Sequence, residues 1–396
     1  MENVQRKKST GSVLGLIIVI AIGFAFYFGL NAIGGSTESL SYNSIIDGIQ
    51  DNVFKQVQWL LMNFTEPQFY ASIFAGIGII AGGFIAWILA KKNSRLAGFD
   101  ICYGSSNLFP WVLAAQVLSV GLAIFVYRYI NLFDLPETTW IATFISIVGA
   151  PPSVMLLYGP SVPALLTSSI LGGLLCPPVA TWLSTYIVGP IGVPGVVANV
   201  LTMAITGIAI CFICKVLPWI KKVPVKPHRR QPKPDEDVYS TSWFVRRCFA
   251  EFSEAQFYGN EVASIFLLVG VVIDWALCAA LPVYGNGGTI LPAILLSQFV
   301  GAAVGVFLYA PRFENGGWYA TYVPVVAVGP GCVLMFGGTI PVALFAGALG
   351  GIIGAPFADF FAQRMPEGVH GTNANVLSMA ISTIIVSMVM KFLGCF

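Results

Sequence analysis

The sequence carries the same series of landmarks twice. Residues 63–70, NFTEPQFY, return at 251–258 as EFSEAQFY, and residues 198–205, ANVLTMAI, return at 374–381 as ANVLSMAI. Between these anchors, single residues recur in the same order: Trp87 and Trp275, Pro110 and Pro292, Gln116 and Gln298, Trp140 and Trp318, Pro152 and Pro330, Pro163 and Pro341, Gly172 and Gly350, and Pro178 and Pro356. A repeat of this length in an apolar chain predicts two similar membrane bundles with a site between them.

The composition excludes a water-soluble protein. Hydrophobic residues make up 57% of the chain and charged residues 10%. Several apolar runs exceed the roughly 18 residues that a membrane-spanning helix needs. The eight cysteines sit mostly inside such runs, so we interpret them as small buried residues and expect no metal site and no cofactor. No sequence feature indicates nucleic-acid binding.

The apolar runs predict an all-α polytopic membrane protein with about eleven transmembrane helices. Residues 1–62 would hold an anchor helix and an amphipathic segment at the membrane interface. Residues 63–217 form the first five-helix repeat, residues 218–250 a basic, proline-rich cytoplasmic linker, and residues 251–396 the second repeat.

The distribution of basic residues predicts the orientation. If each run crosses once, all of the 20 lysines and arginines lie on one side except Lys55, Arg128 and Lys391. Basic residues favour the cytoplasm, so we expect an integral protein of the bacterial cytoplasmic membrane, with its amino terminus inside and its carboxyl terminus outside. Because five is odd, the second repeat would be inverted relative to the first.

Glycine and proline interrupt the fourth run of each repeat, at 172–178 (GGLLCPP) and 350–356 (GGIIGAP). The third runs are interrupted at 149–152 (GAPP) and 329–331 (GPG). We predict discontinuous fourth helices whose ends line a polar cavity, although proline kinks repaired by neighbouring helices are an alternative. The candidate solute-binding residues are Pro152, Ser153, Cys176, Pro177, Pro178, Thr181, Asn199, Pro330, Gly354, Pro356 and Asn375.

Ionisable residues inside apolar runs are costly and therefore candidates for function. Asp274 and Asp359 are predicted to couple transport to Na⁺ or H⁺, with a salt bridge to Arg364 as the alternative for Asp359. Glu66 and Glu254 recur just before the first helix of each repeat. They cap these helices at the interface or belong to re-entrant loops that reach the site.

The repeated five-helix pattern with matched interruptions resembles inverted-repeat secondary carriers with five plus five helices, such as bile-acid symporters and sodium–proton antiporters. The resemblance covers residues 63–396 and implies broken fourth helices that cross at the binding site. The chain is also similar in span number to ascorbate-type phosphotransferase permeases, which have eleven spans and inverted halves.

These features predict a secondary transporter, not an enzyme, that moves a small polar or anionic solute by elevator-like alternating access, as a homodimer in the lipid bilayer. Three alternatives remain open. They are a phosphotransferase-type permease with soluble partners, an intramembrane enzyme with Asp274 and Asp359 as acid and base, and a channel.

Overall fold

The computed structural model describes residues 9–33, 42–135, 138, 140–225, 237–277 and 290–396, and it is helical with no β-strand in these ranges. Up to the linker the helices are α1 Val13–Ala32, α2 Tyr42–Ile46, α3 Val53–Asn63, α4 Ile73–Lys91, α5 Phe109–Gly121, α6 Ile145–Val148, α7 Ala150–Tyr158, α8 Val162–Leu183, α9 Gly189–Ile191 and α10 Val196–Val216. After it come α11 Thr241–Ala250, α12 Glu261–Leu277, α13 Leu291–Tyr309, α14 Gly329–Phe336, α15 Ile340–Ala362 and α16 Thr372–Leu393.

Several helices are long and apolar enough to cross a membrane, as expected for a polytopic protein. Within the described ranges there are eight: Val13–Ala32, Ile73–Lys91, Ser106–Val126, Val162–Ile191, Val196–Val216, Leu291–Glu314, Ile340–Ala362 and Thr372–Leu393. The third runs form shorter apolar helices, Ile145–Tyr158 and Pro324–Phe336.

Hydroxyl side chains start the long helices of both copies. Ser72 accepts a hydrogen bond from the third residue of α4, and Ser161 does the same for α8. Thr339 takes this place at the start of α15, the counterpart of α8. Such caps satisfy amide groups that a helix start leaves without partners.

The prediction of discontinuous fourth helices is wrong. Helix α8 continues through Pro177 and Pro178, and α15 continues through Pro356. The paired glycines serve close packing instead. A Cβ atom on Gly172 would lie 2.5 Å from Pro151, and one on Gly351 would lie 2.8 Å from the carbonyl oxygen of Gly301. The glycines therefore let neighbouring chain segments approach, without ending the helix.

The third run of the first copy is interrupted where the sequence predicts it. Gly149 leaves helical geometry, with φ −96° and ψ −131°, and separates α6 from α7. In the second copy, by contrast, Gly329 and Pro330 lie within α14, which follows a π-helical turn at Pro324–Val328. The predicted interruption at 329–331 is therefore wrong, and the local irregularity precedes it.

The second copy begins earlier than the sequence division places it. Residues 241–250, assigned to the linker, form the amphipathic helix α11. This helix leads into the loop at 252–260 as α3 leads into the loop at 64–72, and equivalent residues of the two loops are 188 apart. Helices α3 and α11 are therefore counterparts.

The matched first helices, α4 and α12, pack antiparallel. A Cβ atom on Gly78 would lie 2.3 Å from the carbonyl oxygen of Phe266, and one on Gly270 would lie 2.4 Å from that of Phe74. Contacts that run down one helix as they run up the other define an antiparallel pair. Small residues at such a contact let two membrane helices approach closely.

The matched fifth helices, α10 and α16, also pack antiparallel, and their ends make equivalent contacts. The Lys215 ammonium near the end of α10 donates to the carbonyl oxygen of Glu367, which precedes α16 (3.1 Å). Lys391, near the end of α16, donates to the carbonyl oxygen of Gly192, which precedes α10. Each lysine therefore donates a hydrogen bond to the equivalent turn of the other copy.

Candidate functional site

Two buried loops meet at the centre of the protein. The loop at 64–72 and the loop at 252–260 each contain a phenylalanine in the left-handed region, Phe69 with φ 67° and Phe257 with φ 66°. Non-glycine residues rarely adopt this conformation, so the surrounding structure must hold it. Their adjacent glutamines, Gln68 and Gln256, are fully buried and hydrogen-bonded to each other.

Further hydrogen bonds between the loops and the second helices are reciprocal. The Tyr70 hydroxyl donates to Gln298 (2.6 Å), and the matched Tyr258 hydroxyl donates to Gln116 (2.9 Å). Gln298 in turn donates to the Gln68 carbonyl oxygen, and Gln116 to that of Gln256. When residue i contacts j and the copy of j contacts the copy of i, the interface has the isologous pattern of a two-fold axis.

A cavity lies beside these loops and is lined by matched residues of both copies. Its volume is about 40 Å³. The matched pairs on its wall are Glu66 and Glu254, Phe69 and Phe257, Phe144 and Tyr322, Val148 and Val326, Val200 and Val376, and Met203 and Met379. We call it the central cavity.

A second cavity continues from the central one. Phe69, Val196 and Asn199 line both. The second cavity extends to Trp140 and to Leu334, near the end of α14, and has a volume of about 350 Å³. The central cavity therefore adjoins a wider space on the side of Phe69.

A buried charged cluster lies behind the central cavity in the second copy. Arg247 on α11 contacts Glu251 (3.0 Å) and forms a shorter ion pair with Glu254. The Thr321 hydroxyl donates to Glu251 (2.5 Å). Burial raises the pKa of Glu251 above its ordinary value, while Arg247 and the Thr321 bond oppose the increase and Glu254 adds to it.

The first copy has a neutral network at the same place. The Trp59 indole donates to the Thr143 hydroxyl (2.9 Å), which donates to the Asn63 side-chain oxygen (2.7 Å). Trp59 corresponds to Arg247, Asn63 to Glu251 and Thr143 to Thr321 in the repeat. The site is therefore symmetric in shape and asymmetric in charge.

The wall of the central cavity is acidic. Glu66 is 2% exposed and Glu254 is 1% exposed, and both line the cavity. Oε1 of Glu254 binds Arg247, while its Oε2 atom has no hydrogen-bond partner among the described residues. Charges held at low dielectric act strongly on a bound molecule, so this wall opposes an anion and favours a cation.

Aromatic rings surround the Glu254 carboxyl group. Tyr103, Phe257 and Tyr322 line the cavity around it, and the Trp318 indole lies 3.5 Å from its Oε1 atom. The ring centroids of Tyr103 and Trp318 are 5.6 Å apart, and those of Trp318 and Tyr322 are 6.2 Å apart. A carboxylate within aromatic faces is a suitable environment for an organic cation.

Three of the predicted solute-binding residues belong to this cavity. Ser153 and Asn199 line it, and the Asn375 amide donates to the hydroxyl group of Tyr322, which lines it (3.3 Å). The others lie outside its wall. The buried ones are Pro152, Cys176, Pro177, Pro330 and Gly354, and the exposed ones are Pro178, Thr181 and Pro356.

The two predicted coupling residues lie away from the central cavity and in different surroundings. Asp274 is 1% exposed, accepts a hydrogen bond from Ser72 (2.5 Å) and sits beside the first backbone amides of α4. Asp359 is partly exposed and lies near Tyr319. The arrangement gives Asp274 a structural role at a helix start.

The sequence did not single out Arg247, Glu251, Tyr103 or Tyr322. A signal for the first two exists, because Arg247 and Glu251 replace the neutral Trp59 and Asn63 of the other copy. The alternative that Glu66 and Glu254 belong to loops reaching the site agrees with their position on the cavity wall. Comparisons of the chain with models of protein families, with curated proteins and with solved structures gave no match.

Proposed function

We propose that this protein is a secondary transporter that moves a small polar solute through the central cavity by alternating access. The observation that carries the proposal is the cavity itself, which lies between two antiparallel copies and is lined by matched residues. A membrane site at the interface of two repeats is the usual position for the solute of such a carrier.

The packing of the copies supports an inverted repeat with eleven spans. In the described ranges, the eight long helices, α12 and the two short helices of the third runs correspond to the eleven apolar stretches of the sequence. Antiparallel packing of α4 with α12 supports a two-fold axis perpendicular to these helices. If they cross the membrane, the axis lies in the membrane plane.

An inverted repeat would provide a structural basis for alternating access. Two similar halves can exchange conformations, so a state open to one side has a counterpart open to the other. The wider cavity beside Phe69 and Trp140 would then be the open side of one such state. The elevator-like motion and the homodimer stay predictions.

The charged groups on the cavity wall limit the class of solute that can bind there. An anion would meet the carboxyl groups of Glu66 and Glu254, with the Arg247 guanidinium already bound to two carboxylates. A neutral or cationic polar solute fits this wall better than the anionic solute that the sequence also allowed. Glu66 replaces Asp274 and Asp359 as the candidate coupling residue, through binding of H⁺.

Uptake into proteoliposomes tests the function. We expect accumulation of one member of a panel of labelled neutral, cationic and anionic solutes when a Na⁺ or H⁺ gradient is imposed. Asn199→Trp should abolish uptake by filling the cavity, whereas Thr181→Trp, at an exposed position, should retain it. A channel would give a flux that only equilibrates the solute, that does not saturate as the solute concentration rises, and that neither ion gradient affects. This result would contradict the proposal.

Cysteine labelling tests the inversion. In a Cys395→Ser background, cysteines at Ile191 and Glu367 occupy exposed, equivalent turns before α10 and α16. An impermeant maleimide added to whole cells should label the Ile191→Cys variant and spare Glu367→Cys until the membrane is opened. Labelling of both positions from the same side would exclude an inverted repeat.

A further inference from the structure

We propose that the solute bound in the central cavity carries a positively charged ammonium group, held between the Glu254 carboxylate and the aromatic rings around it. This inference rests on the proposed transport role of the cavity. It adds the chemical class of the solute.

The first support is the unused oxygen of Glu254. Arg247 fixes the carboxyl group through Oε1 and the Tyr103 hydroxyl lies beside it, while Oε2 has no partner at normal hydrogen-bond distance among the residues described. A buried acceptor without a partner costs free energy that a bound donor recovers. An ammonium group supplies both the donor and the opposite charge.

The second support is the set of aromatic faces. Tyr103, Phe257 and Tyr322 line the cavity next to Glu254, and the Tyr103 and Phe257 ring centroids lie 6.5 Å apart. Aromatic faces attract ammonium ions through the ring quadrupole, and desolvated sites gain most. Phe69 and Phe144 place further aromatic surface on the matched wall.

The third support is the balance of charge. Two carboxyl groups directly at or behind the wall, Glu251 and Glu254, share the single guanidinium group of Arg247. A monovalent cation in the cavity reduces the remaining negative charge. An anion increases it, which is costly in a buried site.

An organic cation fits better than a metal ion. The described residues contain no group of three His, Cys, Asp or Glu side chains able to hold a metal. Hard cations such as Na⁺ or Ca²⁺ need several oxygen ligands, which aromatic faces do not provide. The aromatic wall therefore selects an ammonium group.

Binding to the purified full-length protein in detergent tests the inference. Tetramethylammonium chloride and ethylammonium chloride are titrated against it by calorimetry, with sodium chloride and sodium acetate at equal ionic strength as controls. We expect saturable binding of at least one ammonium salt, accompanied by an increase in unfolding temperature. Equal stabilisation by sodium chloride, binding of acetate, or no binding of either ammonium ion would overturn the proposal.

Variants separate a binding role from a structural one. Glu254→Gln and Tyr103→Leu should each weaken binding at least tenfold, while Tyr103→Phe should retain it because the ring face remains. Matched controls at exposed positions, Glu367→Gln and Tyr186→Leu, should bind as the parent protein does.

Because Glu254→Gln removes a partner of Arg247, Glu66→Gln provides a second carboxyl variant, and it should also weaken binding. Unchanged binding in Glu254→Gln and Glu66→Gln would exclude the proposed site.

The result is distinguishable from that of the transport proposal. If proteoliposomes accumulate a neutral or anionic solute and ammonium ions do not bind, transport holds and the ammonium inference fails. If an ammonium ion binds at Glu254 but no solute crosses under any gradient, the inference holds and the transport proposal fails.

Discussion

Gln68 and Gln256 form a closed pair in which the Nε2 atom of each lies within 2.8 Å of the Oε1 atom of the other. Each amide also donates to a backbone carbonyl of the opposite copy, Gln68 to Phe252 and Gln256 to Phe64, both at 2.7 Å. Equivalent residues that face each other in this way lie on the axis relating the copies. The pair therefore joins the two halves at the two-fold axis between them.

Replacing either glutamine by leucine should destabilise the protein to a similar extent. The change leaves buried carbonyl and amide groups without partners, at about 1–3 kcal/mol for each group. Gln68→Leu and Gln256→Leu should lower the unfolding temperature in detergent equally, as measured by fluorescence.

The double variant checks that the pair acts as a unit. Residues that share hydrogen bonds give non-additive effects, so the double change should cost less than the sum of the two single changes. Strict additivity would show that the two side chains contribute independently.

The repeat in the sequence predicted that these loops are equivalent, but not that they contact each other. The motif at 63–70 and its copy at 251–258 can be recognised in the sequence, whereas the position of the loops within the protein depends on how the copies pack. The interpretations as an interfacial cap and as a re-entrant loop fit the same residues. Antiparallel packing of α4 against α12 brings both loops together, and the sequence of one loop does not contain that information.

The wrong prediction of broken fourth helices has a related cause. A glycine pair followed by proline suits a helix end, and it also suits a helix that a neighbour approaches closely. The missing Cβ atoms at Gly172 and Gly351 serve the second purpose. The sequence of one helix does not contain the position of the next, so the two uses look alike.

Gly78→Ala should destabilise the contact between α4 and α12. The added Cβ atom would lie 2.3 Å from the Phe266 carbonyl oxygen, so the helices must separate. Overpacking of this kind costs about 1–3 kcal/mol. Gly29→Ala in α1 is the matched control, because a Cβ atom added there would meet no described heavy atom within 4 Å outside the nearby backbone of its own helix.

Removal of a glycine from the interior of a helix stabilises it by about 0.5–1 kcal/mol, so the control should unfold at an equal or higher temperature. Thermal unfolding of both variants in the same detergent measures the difference. An unchanged or raised unfolding temperature for Gly78→Ala would contradict the close approach of these helices.

The stability of the protein should depend on the positive charge of Arg247, and not only on the space that its side chain fills. Arg247→Met leaves Glu251 and Glu254 buried without their cation, and breaking a buried ion pair costs about 3–5 kcal/mol. We expect low yield and early unfolding for this variant.

A double change that copies the first repeat should recover part of the loss. Arg247→Trp with Glu251→Asn reproduces the Trp59–Thr143–Asn63 network around Thr321. Its unfolding temperature should exceed that of Arg247→Met. No recovery would show that the two networks are not structurally equivalent.

Acidification should destabilise the protein through His370. This residue precedes α16, and its Nδ1 atom accepts a hydrogen bond from the Thr372 amide (3.3 Å). Burial lowers the pKa of His370 from 6.5 to about 4. Because the folded form favours the neutral ring, its contribution to stability is complete above pH 6.5 and is lost as the pH falls towards 4.

His370→Asn should reduce this loss, because asparagine retains an acceptor near the same place and does not titrate. Glu251 acts in the opposite direction, since burial raises its pKa and so favours its protonated form in the folded protein. The difference between variant and parent at each pH therefore isolates the histidine. The other of the chain's two histidines, His228, lies in the predicted linker and provides the control variant His228→Asn. Unfolding temperatures between pH 7.5 and pH 5 should fall less for His370→Asn than for the parent or the control, and three parallel curves would show that His370 does not titrate in this range.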